Sequence, residues 1–169
     1  MADGARSAKL DLAMAEEISV ALTAIANDLP YSLGRLSLRR ALEGGLLTVR
    51  RVGDHMVCHD DPATADTAAW DRALRQHLGD NKADLVQYQP TSTPPTDLVA
   101  LLEQVVRRDW HPRAAAHGLA VWIDWEREIL VITSGAPATD EVAQTLIELV
   151  GTRGVVTTGA TFGRGRSGR

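Results

Sequence analysis

The chain has 169 residues, of which 44% are hydrophobic and 24% charged, and its formal net charge is −4 at pH 7. This length suits one compact domain or two small ones, and the composition predicts a packed core rather than disorder. The acidic balance argues against a protein coated with nucleic acid, although a local basic patch is compatible with it. The single cysteine excludes an internal disulfide and a zinc site built from several cysteines.

The N-terminal segment does not resemble an export signal. It carries Asp3, Asp11, Glu16 and Glu17 where a signal peptide needs an apolar core. No apolar run approaches the ~20 residues that cross a bilayer. We therefore expect a soluble cytoplasmic protein, and the Ala- and Arg-rich composition is typical of GC-rich bacterial genomes.

The first half of the chain begins with two predicted helices. Apolar residues recur at every third or fourth position over residues 7–28, which predicts a long N-terminal helix that Pro30 ends. A shorter helix is predicted over residues 32–43, with Gly44 and Gly45 as its stop.

The pattern then changes to strands. "LLTVRRV" and "HMVCH" flank Gly53-Asp54, which predicts a hairpin. "ATADTAAWDRALRQHLG" predicts a helix that ends at Gly79, and "ADLVQYQ" predicts a short strand. "PTSTPPT", residues 90–96, is the best linker candidate because its prolines lack the N–H groups that a helix or central strand needs.

The second half repeats this order. "TDLVALLEQVVRRDW" predicts a helix, and "GLAVWIDW" and "EILVIT" predict a hairpin. "TDEVAQTLIELVG" predicts a helix with Thr139 as N-cap and Gly151 at its C-terminal end. "VVTTGATF" predicts a last strand, and "GRGRSGR" a flexible basic tail.

Landmark residues recur in the two halves. Gly45-Leu46 matches Gly118-Leu119, a "PAT" tripeptide begins at both Pro62 and Pro137, and the helix-ending Gly79 matches Gly151. We therefore predict an α+β fold of two αββαβ units with a long N-terminal helix, in an order that internal duplication would produce. The expected boundaries are 1–89 for the first unit, 90–96 for the linker, 97–160 for the second unit and 161–169 for the tail.

Residues 97–160 resemble a BON domain, a small αββαβ module that often occurs in tandem. The likeness rests on "AVWIDWEREILVITSGAPATDEVAQTLIELVGTRGVVTTG", in which a strand pair closes at Gly135, a helix follows, and Gly154 opens the last strand. The chain has "WERE", residues 125–128, where the family tends to have a glycine turn. The resemblance implies a non-catalytic module that binds a membrane surface, a ligand or another protein.

A second resemblance concerns residues 36–58, "LSLRRALEGGLLTVRRVGDHMVC". They are similar to the recognition helix and wing of excisionase-type winged-helix DNA binders. Residues 35–52 hold five arginines and one acid in a chain that is acidic overall, which is the charge pattern that phosphate binding requires. The same arginines also fit a solvated face that pairs with acidic neighbours. The resemblance implies DNA contacts from Arg35, Arg39, Arg40, Arg50 and Arg51.

"HMVCHDD", residues 55–61, concentrates reactive side chains. On a strand, Met56 and Cys58 share one face, which predicts a core face with a buried and inert thiol. His55 and His59 share the other face but lie about 13 Å apart at ~3.3 Å per residue, which is too far to hold one metal ion. Cys58 and His59 point to opposite faces, which disfavours a nucleophile pair. A structural or surface role is the expectation for this stretch.

Other catalytic constellations are sparse. His111 and His117 are expected on different sides of a helix, and no Gly-rich phosphate loop precedes a helix, so we expect no cofactor. Asp124 and Glu126 would share a strand face about 7 Å apart, a separation that two-carboxylate chemistry uses. At a hairpin tip, however, solvated charges are the usual finding.

The tryptophans indicate a binding surface. Trp122 lies on one face of its predicted strand and Trp125 on the other, and Trp110 ends a helix. The alternative is that all tryptophans belong to the core. We predict a non-catalytic soluble module that binds a protein partner or a second copy of itself through Trp110, Trp122 and Trp125. The alternatives are a winged-helix DNA binder and an enzyme that uses Asp124 and Glu126 or the His55 region.

Overall fold

The computed structural model describes residues 9–28 and 43–163. The chain divides into two compact units, Met1–Ser92 and Thr93–Arg169, here called unit 1 and unit 2. The boundary lies inside the segment 90–96. Most of the helix predicted over residues 32–43 lies outside the described residues, as does the chain beyond residue 163. In the part that is described, no helix combines the length and hydrophobicity that a membrane crossing requires.

The described part of unit 1 alternates helices and strands around one small sheet. Its strands have the order β1-β2-β3, with β1 antiparallel and β3 parallel to the central β2. The parallel pair requires a crossover, which the helix after β2 provides. The elements are α1 (Leu12–Asn27), β1 (Leu46–Val52), β2 (His55–Asp60), α2 (Thr67–Leu78), α3 (Asp80–Ala83) and β3 (Val86–Pro90).

Unit 2 has the same topology. Its sheet has the order β4-β5-β6, with an antiparallel hairpin followed by a parallel crossover. Short 3₁₀ turns lie at Ala114–Ala116 and Gly151–Arg153. The elements are α4 (Pro95–Arg107), β4 (Leu119–Asp124), β5 (Ile129–Ser134), α5 (Glu141–Val150) and β6 (Gly154–Thr157).

The two units also share local contacts. The carbonyl oxygen of Gly45 accepts a bond from the Asp61 amide at 2.8 Å, and that of Gly118 accepts one from the Gly135 amide at 2.9 Å. In each pair, the glycine precedes the first strand and its partner follows the second. The predicted α+β fold of two similar units is confirmed, and this correspondence is the one that internal duplication would leave.

The helix ends follow capping chemistry. Gly79 and Gly151, predicted to end their helices, are the C-caps of α2 and α5 with φ of 85° and 57°, angles that favour glycine. The predicted N-cap Thr139 is wrong. Asp140 caps α5, because its carboxylate accepts the Val142 amide at 2.9 Å.

Each unit packs its helices on one face of its sheet. In unit 1, Ile18 and Leu22 of α1 and Leu74 of α2 pack with Met56 and Cys58 of β2. Unit 2 has an aliphatic core of the same kind, and alternate residues of β5 point into it. Fully buried residues there include Leu101, Val105, Leu130, Ile132 and Leu146.

Unit 2 continues beyond β6. The Gly159 amide donates to the Ala136 carbonyl at 2.8 Å, and the Ala160 amide donates to the Ser134 carbonyl at 3.0 Å. The Phe162 ring then lies directly over the Cα of Gly118, where an added Cβ would collide with it. The packed chain therefore extends past residue 160, where the tail was expected to begin.

Candidate interaction surface

The sheet of unit 2 has two unlike faces. Leu119, Val121 and Ile123 of β4 point into the core under α4 and α5. The opposite side carries the residues between them and their cross-strand neighbours. We call this side the open face; its residues are Ala120, Trp122, Asp124, Ile129, Val131, Thr133, Val155 and Thr157.

An apolar row crosses the open face. Trp122 lies opposite Val131, and Val131 lies opposite Val155. At about 4.8 Å between strands, the row is about 10 Å wide. Trp122 is 49% exposed and Val155 43% exposed. A large, half-exposed aromatic group at one end of an apolar row of this kind is typical of a contact surface rather than of a solvated one.

The other two predicted partner-binding tryptophans present less surface. Trp110 is half-buried, and its indole N–H donates to the Val105 carbonyl oxygen at 3.0 Å. Trp125 is 9% exposed and lies in the turn after β4, not on the strand as predicted. Trp122 is therefore the tryptophan that the structure presents on a strand surface.

The predicted carboxylate pair is part of the same turn. The Asp124 carboxylate accepts the amides of Glu126 and Arg127, each at 3.1 Å. Because β4 ends at Asp124, Glu126 does not share a strand face with it. Asp124 thus holds the hairpin turn, which is a structural role.

A non-glycine residue in a left-handed conformation completes this turn. Glu128 has φ of 53°, an angle that costs an ordinary residue about 1–2 kcal/mol. Its carboxylate accepts both the amide and the hydroxyl of Thr93 at 3.3 Å. These bonds favour glutamate at this left-handed position. Both residues line a groove of about 410 Å³, whose other polar walls are Asp97, Gln104, Thr152 and Arg153.

The reactive stretch of β2 is largely buried. Cys58 is fully buried in the core of unit 1, as predicted, and burial together with the charge of Asp60 raises the pKa of its thiol. A protonated thiol without access to solvent is not a nucleophile. His59 is buried on the opposite face of β2, not at the surface. Among the described residues, no group of histidine, cysteine and carboxylate side chains is arranged to hold a metal ion.

Two of the five arginines that the DNA-binding alternative requires can be placed. Arg50 and Arg51 are exposed near the end of β1, and as consecutive strand residues they point to opposite faces. The Arg51 Nε donates to the Gly53 carbonyl oxygen at 3.1 Å. Arg35, Arg39 and Arg40 lie outside the described residues.

A cluster that the sequence analysis missed surrounds the start of α5. The expected helix between His111 and His117 is only a single 3₁₀ turn. His111 Nε2 lies 3.9 Å from the Glu141 carboxylate, and His117 Nε2 lies 4.0 Å from that of Asp140. Arg113 also donates to Asp140 at 3.0 Å. The only signal in the sequence was the acidic pair at a helix start, where the helix dipole favours it without any basic partner.

We expect Asp140 to stabilise unit 2 by its cap and by its charge. The bond from the Val142 amide, followed by Arg113 and His117, lowers the pKa of this carboxyl group. Its contribution is therefore present above the unfolded pKa and is lost as pH falls below about 4. Asp140→Ala should lower Tm more than Asp140→Asn, since asparagine retains a capping acceptor. Thermal melts at pH 7 test this, and equal losses for both variants would contradict a capping role.

No protein-family model, no curated protein and no solved structure matches this chain.

Proposed function

We propose that this protein is a non-catalytic interaction module and that unit 2 binds a protein partner through the open face. The single observation that carries the proposal is the half-exposed Trp122, in register with Val131 and Val155 on the side of the sheet that the helices leave uncovered. Tryptophan in the centre of a contact is the residue type that most often dominates binding energy.

The chemistry of the open face favours a protein over a nucleic acid. Its residues include no lysine or arginine, and its one acidic residue is Asp124, at the end of β4 opposite Ile129. Phosphate binding depends on lysine and arginine, which this face lacks. The resemblance of residues 97–160 to BON modules agrees with a binding role. The partner surface should be apolar, because an unpaired charge against Trp122 would be desolvated at a cost.

Photo-crosslinking tests the location of the surface. A benzophenone amino acid at Val155, on the open face, should give a discrete adduct in cells, whereas one at Glu148, exposed on α5, should not. The adduct is identified by mass spectrometry, and the identified partner is purified and bound again to the wild-type chain.

The second step measures Kd with the purified partner. Trp122→Thr should weaken binding at least about tenfold, because an exposed tryptophan is the kind of residue that most often dominates the energy of a contact. Val106→Thr is the matched control, since Val106 is 53% exposed but lies on α4. Equal affinities for wild type and Trp122→Thr would refute the open face as the binding surface.

DNA binding through the arginine cluster is the alternative, and the exposure of Arg50 and Arg51 favours it. Fluorescence anisotropy with random duplex DNA at about 50 and 200 mM salt separates the two proposals. Binding that falls at least tenfold at the higher salt, and that Arg50→Ala with Arg51→Ala removes, would establish the alternative. Absence of binding at micromolar protein would refute it.

A further inference from the structure

We propose that two copies of this chain pair along the free edge of β4, antiparallel and across a two-fold axis at Val121, to form one continuous six-stranded sheet. This inference goes beyond the proposed function, because it concerns the edge of the sheet of unit 2 rather than its open face. Three features support this pairing: β4 is an unprotected edge strand, its outward backbone groups do not bond to β5, and its side chains are compatible with those of a second β4.

Natural proteins protect the edges of their sheets against pairing with other chains, by means of charges, proline, bulges or short strands. The described part of the chain has four edge strands, and three of them are protected. β1 carries Arg50 and Arg51 and has a bulge between Leu46 and Thr48. β3 ends in Pro90, and β6 has only four residues.

β4 is the exception among these four edges. Its sequence from Leu119 to Ile123 is "LAVWI", five apolar residues without a charge, a proline or a bulge. Its first charged residue is Asp124, at the last position. An unprotected apolar edge of this length is a template for a further strand.

The hydrogen-bond pattern shows which backbone groups the edge offers. The Gly135 amide bonds to the Gly118 carbonyl, and bonded pairs alternate along an antiparallel ladder. Ala120 and Trp122 therefore bond inward to β5. The N–H and C=O groups of Leu119, Val121 and Ile123 point outward, and they are the groups that a second β4 would meet.

A two-fold axis at Val121 matches these groups. Val121 then bonds to Val121 of the second copy, and Leu119 bonds to the second copy's Ile123. On the open face, Trp122 lies beside Ala120 of the other copy, so a large side chain meets a small one on each side of the axis. This register pairs all five apolar residues with one another, and it joins the two open faces into one.

The charges are compatible with the same arrangement. Asp124 lies diagonally across from Ala120 of the second copy, a position within reach of a long side chain. No acid in β4 meets another acid across the axis. A contact confined to one edge strand should bury less than the ~800 Å² per partner of a stable complex, so we expect a weak dimer.

The first test uses the unmodified full-length chain. Sedimentation velocity between about 1 and 500 µM should show a reversible monomer–dimer equilibrium, as a contact of this size implies. Amide hydrogen exchange by NMR across the same range should slow for Leu119, Val121 and Ile123 as the dimer forms. The amides of Ala120 and Trp122 should not change, because they already bond to β5.

The second test uses a matched pair of variants. Ala120→Glu places a negative charge near Asp124 of the second copy, and Ala120→Lys places a positive charge there. Both put a long charged side chain at one strand position, so their effects on folding should be similar. The lysine variant should dimerise at least about tenfold more tightly than the glutamate variant. Ile147→Lys, exposed on α5, is the control and should leave the dimer intact. Val155→Lys should abolish the dimer only if the two copies meet through the open face.

The outcomes separate this inference from the proposed function. A monomer at all concentrations overturns the pairing of β4, while the crosslinking result at Val155 still decides the open face. A dimer that Val155→Lys abolishes, without protection of the three outward amides, also overturns β4 pairing and instead supports contact through the open face. Two results together establish the inference. The amides of Leu119, Val121 and Ile123 exchange more slowly in the dimer while their neighbours do not change, and Ala120→Lys dimerises more tightly than Ala120→Glu.

Discussion

Replacement of Gly45 by alanine is expected to lower the free energy of unfolding of unit 1 by about 3 kcal/mol or more. Gly45 has φ of 78°, which costs an L-residue about 1–2 kcal/mol. An added Cβ would also lie 2.6 Å from the Ala65 amide nitrogen and 2.7 Å from the Thr64 hydroxyl oxygen.

The obstructing backbone has little room to move. The Thr64 and Ala65 amides both donate to the Asp61 carbonyl oxygen, at 3.1 and 2.9 Å, and the Asp61 amide donates to Gly45 itself. A shift at Ala65 therefore breaks bonds that close the turn after β2. The steric clash of the added Cβ therefore lowers the free energy of unfolding further, beyond the cost of the positive φ at Gly45.

Gly53→Ala is the matched control for this prediction. Gly53 also has a positive φ, 61°, but nothing lies within 4 Å of its added Cβ. Gly53→Ala should therefore lower the free energy of unfolding only by the cost of the positive φ, about 1–2 kcal/mol. Hydrogen exchange of the β2 amides reports the stability of unit 1. Equal losses for both glycines would show that the turn after β2 adapts to a side chain.

The second large effect is expected at Asp60, where Asp60→Asn should stabilise unit 1 at neutral pH. Asp60 is 3% exposed, and its Oδ1 has no hydrogen-bond partner within the described part of the chain. Burial, and then the neighbouring charge of Asp61, raise the pKa of this carboxyl group. Removing an unsatisfied buried charge should gain about 1 kcal/mol or more.

The difference in stability between the wild type and Asp60→Asn should depend on pH. The folded pKa of Asp60 lies above the unfolded value, so the proton binds more tightly to the folded state. The stability that the neutral form provides is complete below the unfolded pKa of about 3.9 and is lost as pH rises through the folded pKa. The asparagine variant has no such loss. Its advantage over the wild type should therefore grow as pH rises from about 4 and become constant once pH passes the folded pKa.

Hydrogen exchange of the β2 amides at several pH values measures this difference. Asp54→Asn is the control, because it makes the same chemical change in the exposed turn between β1 and β2. It should leave the pH profile of unit 1 unchanged. A constant difference between wild type and Asp60→Asn across this range would mean that the proton on Asp60 is not linked to folding.

Local patterns in the sequence determined most of the architecture. The 3.6-residue spacing of Ile18 and Leu22 is sufficient to predict α1, because one apolar stripe must be buried. Alternation in β2 predicted that Met56 and Cys58 face the core, and Gly79 and Gly151 predicted where α2 and α5 end. Each of these features depends on residues close together in the chain, so the local sequence is sufficient to predict it.

The candidate site depended more on tertiary structure. The sequence placed Trp122 on a strand, but only the side on which α4 and α5 pack decides that it is half exposed and that Trp125 in the turn is buried. The approach of His111 and His117 to α5 joins segments more than twenty residues apart in sequence. No local pattern predicts such a contact, because it depends on how the chain between them folds.

The edge of β4 shows the same division. The run "LAVWI" and its lack of charge can be seen in the sequence, and it predicts a strand with large groups on both sides. Whether that strand is central or at an edge is decided by which strands pair. In unit 1, the corresponding chain order makes β2 central and leaves β1 with two arginines at the edge. In unit 2, the edge position falls to β4 with its apolar run, and only the sheet topology shows that no other strand of the described residues pairs with its outward backbone groups.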